Sequence, residues 1–214
     1  MRKLSVVLSA LGLFALCAPA LAQDASPWFL RAGVADLMLA DGYTVSVGGG
    51  PISGAKLHYG PIYTPMAEIG YSFAPDWSAV ATLGFPPAIS ASGAGSLAPY
   101  GKLESTTFGP SAYTIQYQPI HTGIVRPYIG AGLSYMIIFR MHDAVVQNAH
   151  LSNNLAPAFE VGSEFALDPQ YGLFLEAKKA FLHSKTTGTV GGYPLLGTAA
   201  LVPWVFSGGM TFHF

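Results

Sequence analysis

Cysteine is nearly missing from this chain. Its 214 residues hold one, Cys17, inside an N-terminal apolar stretch. If that stretch is removed, no disulfide and no thiol chemistry remain. Charge is scarce as well. Lys, Arg, Asp and Glu make up 10% of the residues, against about 25% in an ordinary soluble domain. Ten basic residues face eleven acidic ones, for a net charge of −1, and no basic patch is present, which argues against nucleic-acid binding. Long apolar runs are also missing beyond the N-terminus. Arg126, Glu160, Glu164, Glu176, Lys178 and Lys179 interrupt them, as do Pro127, Pro194 and Pro203. A membrane helix needs roughly 18 or more apolar residues in a row, so ordinary spanning helices are excluded. Yet 51% of the chain is hydrophobic. A greasy chain without spanning helices has one good membrane solution, a closed β-barrel, because lipid leaves no backbone polar group free to bond to water.

The N-terminus reads as a secretory signal. Arg2 and Lys3 give the positive region, Leu4 to Leu16 the apolar region, and Ala20-Leu21-Ala22 the small-x-small cleavage site. Residues 1–22 are therefore expected to be cleaved, leaving 23–214 as a single barrel domain. A lipid anchor on Cys17 fits poorly, since Leu16 before it is large. Removing Arg2 and Lys3 leaves 8 basic and 11 acidic residues, a charge of −3.

The clearest strand is the last. In Val202–Phe214 the even positions include Trp204, Phe206, Met210, Phe212 and Phe214, and the odd ones Ser207, Gly209, Thr211 and His213. One greasy face and one small or polar face mean a period of two. Aromatics near both ends suit a strand that meets two membrane interfaces. The same alternation predicts strands over Trp28–Leu37, Tyr59–Phe73, Trp77–Phe85, Phe108–Gln118, Ile124–Arg140, Leu155–Leu167 and Tyr171 to about Lys185. Residues 39–57, 86–104, 141–154 and 186–201 are expected as long loops, the third with a helical turn. Pro75-Asp76, 119–123 and Asp168-Pro169-Gln170 make the short turns. The pattern predicts an all-β fold: an eight-stranded antiparallel transmembrane barrel with long extracellular loops and short periplasmic turns. Almost every charge falls in the small-residue parity. A soluble eight-stranded barrel would place its greasy face inside; here the pattern is inverted. The expected location is the bacterial outer membrane.

With the aromatic parity toward lipid, the lumen receives Arg31, Glu68, Arg126, Glu160, Glu164, Glu176 and Lys178. A barrel of eight strands is just wide enough for side chains to fill. Unpaired charges there are costly, so a salt-bridged plug is expected in the periplasmic half, with Glu160 and Glu164 facing Lys178 and Glu176. Lys179 is out of phase and is expected to snorkel toward lipid phosphates. Higher on the inward parity the residues turn apolar: Ile62, Met66, Met136, Ile138 and Leu182, with Leu57 and Tyr59 nearby. Such a funnel suits apolar solutes; alternatively these side chains only pack against inward-folded loops.

Met66 to Trp77, then Gly84-Phe85-Pro86, Ile115-Gln116-Tyr117, and Arg126-Pro127-Tyr128-Ile129-Gly130-Ala131-Gly132 resemble segments of the OmpW family of outer-membrane proteins. Asp168 to Lys178 and the closing strand carrying Trp204, Phe212 and Phe214 match too. The resemblance implies a narrow passive route for small hydrophobic molecules. In AlkL-related members it implies lateral release through the wall. It also implies outer-membrane lipid and lipopolysaccharide, a small apolar ligand and the barrel-assembly machinery, through the C-terminal strand, as partners. No cofactor or metal is expected. The loops depart from the family, so the ligand does not carry over.

Two other classes compete. A lipid A-modifying enzyme of the PagP or PagL kind would need a nucleophile and base together, but His183 and Ser184 are adjacent and point to opposite faces. His142 and His150, eight apart in the third loop with Asp143, could bind a metal, but a solvated loop is the favoured reading. Gly48 to Lys56 is no phosphate loop, because Ala55 separates Gly54 from Lys56. A structural or adhesive barrel would lack the apolar funnel. No enzyme activity is expected.

Overall fold

A computed structural model describes residues 26–39, 43–143, 146–151 and 154–214. The expected signal segment lies outside them. In chain order the strands are β1 (Trp28–Met38), β2 (Tyr43–Val47), β3 (Gly50–Pro51), β4 (Ala55–Tyr59), β5 (Ile62–Ala74), β6 (Trp77–Gly84), β7 (Ala88–Gly95) and β8 (Lys102–Tyr117). After these come β9 (Val125–Asp143), β10 (Gln147–Leu151), β11 (Asn154–Ala166), β12 (Tyr171–Ala180), β13 (Leu182–Val190), β14 (Tyr193–Leu201) and β15 (Trp204–His213). Eight of them close a ring: β1, β5, β6, β8, β9, β11, β12 and β15, each antiparallel to its neighbours. The closing seam joins the first strand to the last, from Phe29↔His213 to Met38↔Trp204. Closure leaves no edge on the ring, as lipid requires.

The wall alternates as the sequence predicts. Along β5, Ile62, Thr64, Met66, Glu68 and Gly70 are buried, while Tyr63, Pro65, Ala67, Ile69 and Tyr71 are exposed. On β15, Trp204, Phe206 and Met210 face out; Ser207 and Thr211 face in. Trp28, Tyr71, Trp77, Phe159 and Leu175 are also outward. Buried carboxylates inside and exposed aromatics outside make sense only with lipid as the outer solvent.

The four stretches expected as loops carry ladders of their own. β4 and β7 pair with each other, and β7 with an upward extension of β8. β10, β13, β14, β2 and β3 form a second sheet. Residues 141–143 continue β9, so the helical turn expected after Met141 does not form there. The strand expected through Lys185 breaks at Phe181, and its second half pairs with β14 instead. Glycine pairs explain the misreading. Gly48-Gly49 and Gly191-Gly192 both have positive φ at both positions, 60° and 82°, then 58° and 83°. Each joins strands whose flanking residues pair directly, Val47↔Gly50 and Val190↔Tyr193. These are two-residue hairpin turns of the primed type, where glycine removes the steric penalty.

Two apolar clusters sit in line. One lies mainly in the lumen toward the long-connection end and includes Leu37, Ile62, Met66, Phe108, Met136, Ala158 and Leu182. The other, within the added ladders, gathers Val45, Leu57, Leu97, Leu103, Val146 and Leu195. Tyr59 packs against both.

Candidate functional site: a charged plug beneath an apolar layer

Inward positions of neighbouring strands bring the seven predicted charges into one network. Arg31 stands opposite Glu68 on β5, and its Nη1 lies 3.3 Å from Glu68 Oε2. The same nitrogen donates to Gln116 Oε1 at 3.3 Å, and Nη2 lies 3.8 Å from Glu164. Lys178 is the hub. Its ammonium lies 2.5 Å from Glu68 and 3.0 Å from Glu160, and it also contacts Glu176. Glu160 faces Lys178 across the β11–β12 hairpin, as expected. Glu164 does not face Glu176. It stands opposite Phe174 and turns instead to Arg126, at 3.7 Å, and His213, at 2.9 Å. The reason is register: Glu164 and Arg126 are direct cross-strand partners of β11 and β9. The chain of pairs runs from Arg126 near the short-turn rim through Glu164, Arg31 and Glu68 to Lys178.

Neutral side chains complete the shell. Thr82 donates to Glu68 at 2.8 Å, Thr114 to Glu160 at 2.9 Å, and Tyr128 Oη to Glu176 at 3.1 Å. The Arg31 guanidinium lies between rings, 4.7 Å from Phe29 and 4.5 Å from Tyr128. Arg31, Glu68, Glu164 and Tyr128 are each at most 2% exposed. Buried charges survive only when paired and bonded in this way. Seven charges cross-linked at mid-barrel leave the lumen filled.

The Arg126–Gly132 motif now has a physical reading. Arg126 and Tyr128 enter the network, Pro127 lies outward, and Gly130 lies flat under the Glu160 carboxylate. Gly132 leaves β8 room to approach: a Cβ there would lie 2.7 Å from Thr114 Cα. Opposite Tyr128, Gly162 makes a notch. A Cβ there would lie 2.5 Å from the Tyr128 hydroxyl and 2.8 Å from the Leu175 carbonyl. Gly162→Val should therefore push Tyr128 off Glu176 and Arg31, destabilising the barrel by about 1–3 kcal/mol. Urea unfolding in lipid vesicles measures this; an unchanged midpoint would remove Tyr128 from the network.

Several participants escaped the sequence reading. Phe29, Phe174, Gln116, Thr82, Thr114 and His213 join the plug, and only their inward parity hinted at it. Of the six apolar lumen residues, Ile62, Met66, Met136 and Leu182 are buried together, and Ile138 packs at their edge. Leu57 does not join them; it belongs to the second cluster, because β4 pairs with β7 above the ring. Lys179 lies outward, with its ammonium 4.4 Å over Trp204. His183 is exposed, and its Nδ1 lies 3.1 Å from the Phe181 carbonyl. Among the described residues no group of three or more His, Cys, Asp or Glu side chains could hold a metal.

Known proteins place this geometry. The OmpW family pattern matches residues 25–214. The dibenzothiophene metabolism operon protein PahQ of Pseudomonas aeruginosa is 28% identical over 179 residues, covering 84% of each chain. The outer membrane protein AlkL of Ectopseudomonas oleovorans is 24% identical over 170 residues, 79% of this chain and 74% of AlkL. The crystal structure of the outer membrane protein OprG from Pseudomonas aeruginosa superposes with a TM-score of 0.81 at 20% identity, covering 89% of this chain and 97% of OprG. The chain belongs to the OmpW family and is an eight-stranded β-barrel of the bacterial outer membrane.

Proposed function

We propose that this barrel is a passive route for small hydrophobic molecules across the outer membrane, with lateral release into lipid. In this reading the long-connection end faces outside and the short turns face the periplasm. One observation carries the proposal: an apolar layer that includes Ile62, Met66, Met136 and Leu182 lies on the long-connection side of the charged plug. Apolar solutes partition into such a layer, whereas the plug stops ions and sugars from passing straight through. PahQ, named for dibenzothiophene metabolism, is a relative whose name points to an apolar aromatic.

Lateral release has a candidate place. The β6–β8 ladder ends at Leu83↔Ser111 and resumes as β7–β8 at Ala88↔Thr107. Pro86 and Pro87 lie in the gap and have no N–H to donate. Phe108, beside it, belongs to the lumen cluster. In proteoliposomes an apolar aromatic should enter faster than through protein-free membranes, and a small sugar should not. Pro86→Ala/Pro87→Ala restores two donors and should slow apolar uptake while the barrel stays folded. Sugar permeation equal to that of the aromatic would overturn the route. Unchanged aromatic uptake in the double variant would overturn only the exit.

A further inference from the structure

Two opposite charges stand on the outer wall beside the closing seam. Asp36 on β1 and Lys179 on β12 both take the outward parity, each between two buried neighbours. Neither has an ion-pair partner among the described residues. Between their strands runs β15. Its outward Trp204 and Phe206 stack with centroids 5.9 Å apart, and both rings are exposed. The Lys179 ammonium lies 4.4 Å over the Trp204 ring.

The stagger of the ring sets the two charges level. Stepping across direct partners from Trp28, by way of Tyr71, Ala131, Lys179 and Trp204, leads back to β1 at Met38, ten residues further on. Such a stagger is what tilts the strands of a closed barrel. That circuit climbs toward the long-connection end. Crossing the other way, from β1 to β15 and β12, therefore descends by about one and a quarter residues per strand. Asp36 lies opposite Phe206, and Phe206 opposite Ala177. Lys179 stands two residues higher on β12 than Ala177, which offsets nearly the whole descent. The two charges thus share one depth to within about 2 Å and lie about 12 Å apart along the wall, with the Trp204–Phe206 stack midway. Asp36 is eight residues above Trp28, about 20 Å up a tilted strand. The lipid-facing band of such barrels is about 25 Å tall. Both charges therefore lie just inside its long-connection edge, where attraction between charges is stronger than in water.

An anion on one side of an aromatic stack and a cation on the other, at one depth, make a patch that complements itself under a two-fold axis along the membrane normal. Two barrels inserted the same way keep their depths in register, and the left side of one patch meets the right side of the other. We propose that the barrel forms a two-fold dimer through this seam. Asp36 of each copy meets the partner's Lys179, and the two aromatic stacks face each other on the axis. Acyl chains offer Asp36 no cation; a second copy does. The patch works whichever end of the barrel faces outside.

The test uses the chain purified from outer membranes and reconstituted in vesicles at a low protein-to-lipid ratio. Donor and acceptor dyes sit on Tyr193→Cys, an exposed position beside a hairpin turn. Energy transfer should exceed that of random mixing, and unlabelled chain should compete it away. Asp36→Lys alone and Lys179→Asp alone should each weaken self-association roughly ten-fold or more, because like charges then meet twice. Mixed together, the two variants should associate as tightly as the original chain, since both contacts again join opposite charges. Pairing within one barrel would not be rescued by mixing. Phe206→Cys, on the axis, should cross-link copy to copy on mild oxidation, whereas Tyr113→Cys, exposed on β8 at the opposite wall, should not. Heat-modifiable migration establishes that each variant folds. Energy transfer no greater than random mixing overturns the dimer. Association that the single variants leave unchanged, or that mixing does not restore, overturns the seam as its interface.

Discussion

Lys178→Met should destabilise the barrel by about 3–5 kcal/mol, the cost of leaving buried charge without its partner. The size follows from the hub position. Three carboxylates converge on one ammonium. Glu68 would keep Arg31 at 3.3 Å, but Glu160 and Glu176 would keep only neutral donors, Thr114, Tyr128 and Ser207. Methionine preserves most of the volume, so the loss is electrostatic rather than a cavity. Unfolding in urea, followed by the gel shift between folded and heated barrel, measures it. Adding Glu176→Gln to Lys178→Met should restore part of the stability by removing one uncompensated charge. A loss under ~1 kcal/mol, the range of exposed pairs, would mean that water reaches the plug and that it does not seal the lumen.

Met136→Arg should cut uptake of apolar solutes at least ten-fold, since a barrier higher by only ~1.4 kcal/mol slows passage about that much. Met136 is 2% exposed inside the lumen cluster. An arginine there would put a charge in the middle of the proposed route. The plug could not neutralise it: Glu160 is level with Gly130, six residues and about 20 Å down β9. Ile138→Arg, at the edge of the cluster, should act less strongly. Met136→Leu keeps the layer apolar and should be near neutral, separating charge from mere substitution. Circular dichroism and heat-modifiable migration establish that each variant folds. Undiminished uptake by a folded Met136→Arg barrel would move the route away from this layer.

The parity of the strands was legible in the sequence for a physical reason. A strand between lipid and a narrow lumen has two very different solvents on its faces, so every second residue reports its side. That made the eight ring strands, their inward charges and the closing role of β15 readable from residues such as Trp204 and Ser207. Strand register was not readable. Glu164 belongs to Arg126 and not to Lys178 because of how β11 aligns with β9 and β12. Period-two patterning says which face a residue occupies but not which residue it meets.

Beyond the ring the same reading loses its source. Residues 43–59 and 182–201 pair outside the eight-stranded ring, and their glycines look like loop. Only the folded chain shows that Gly48-Gly49 and Gly191-Gly192 are tight turns and that Leu57 leaves the lumen for a second core. By itself, the sequence determined an inside-out barrel with a charged lumen, because solvent contrast is written residue by residue. The tertiary structure decided which charges pair and where the ladder on β8 breaks at Pro86-Pro87. Each of these depends on the alignment of segments far apart in the chain.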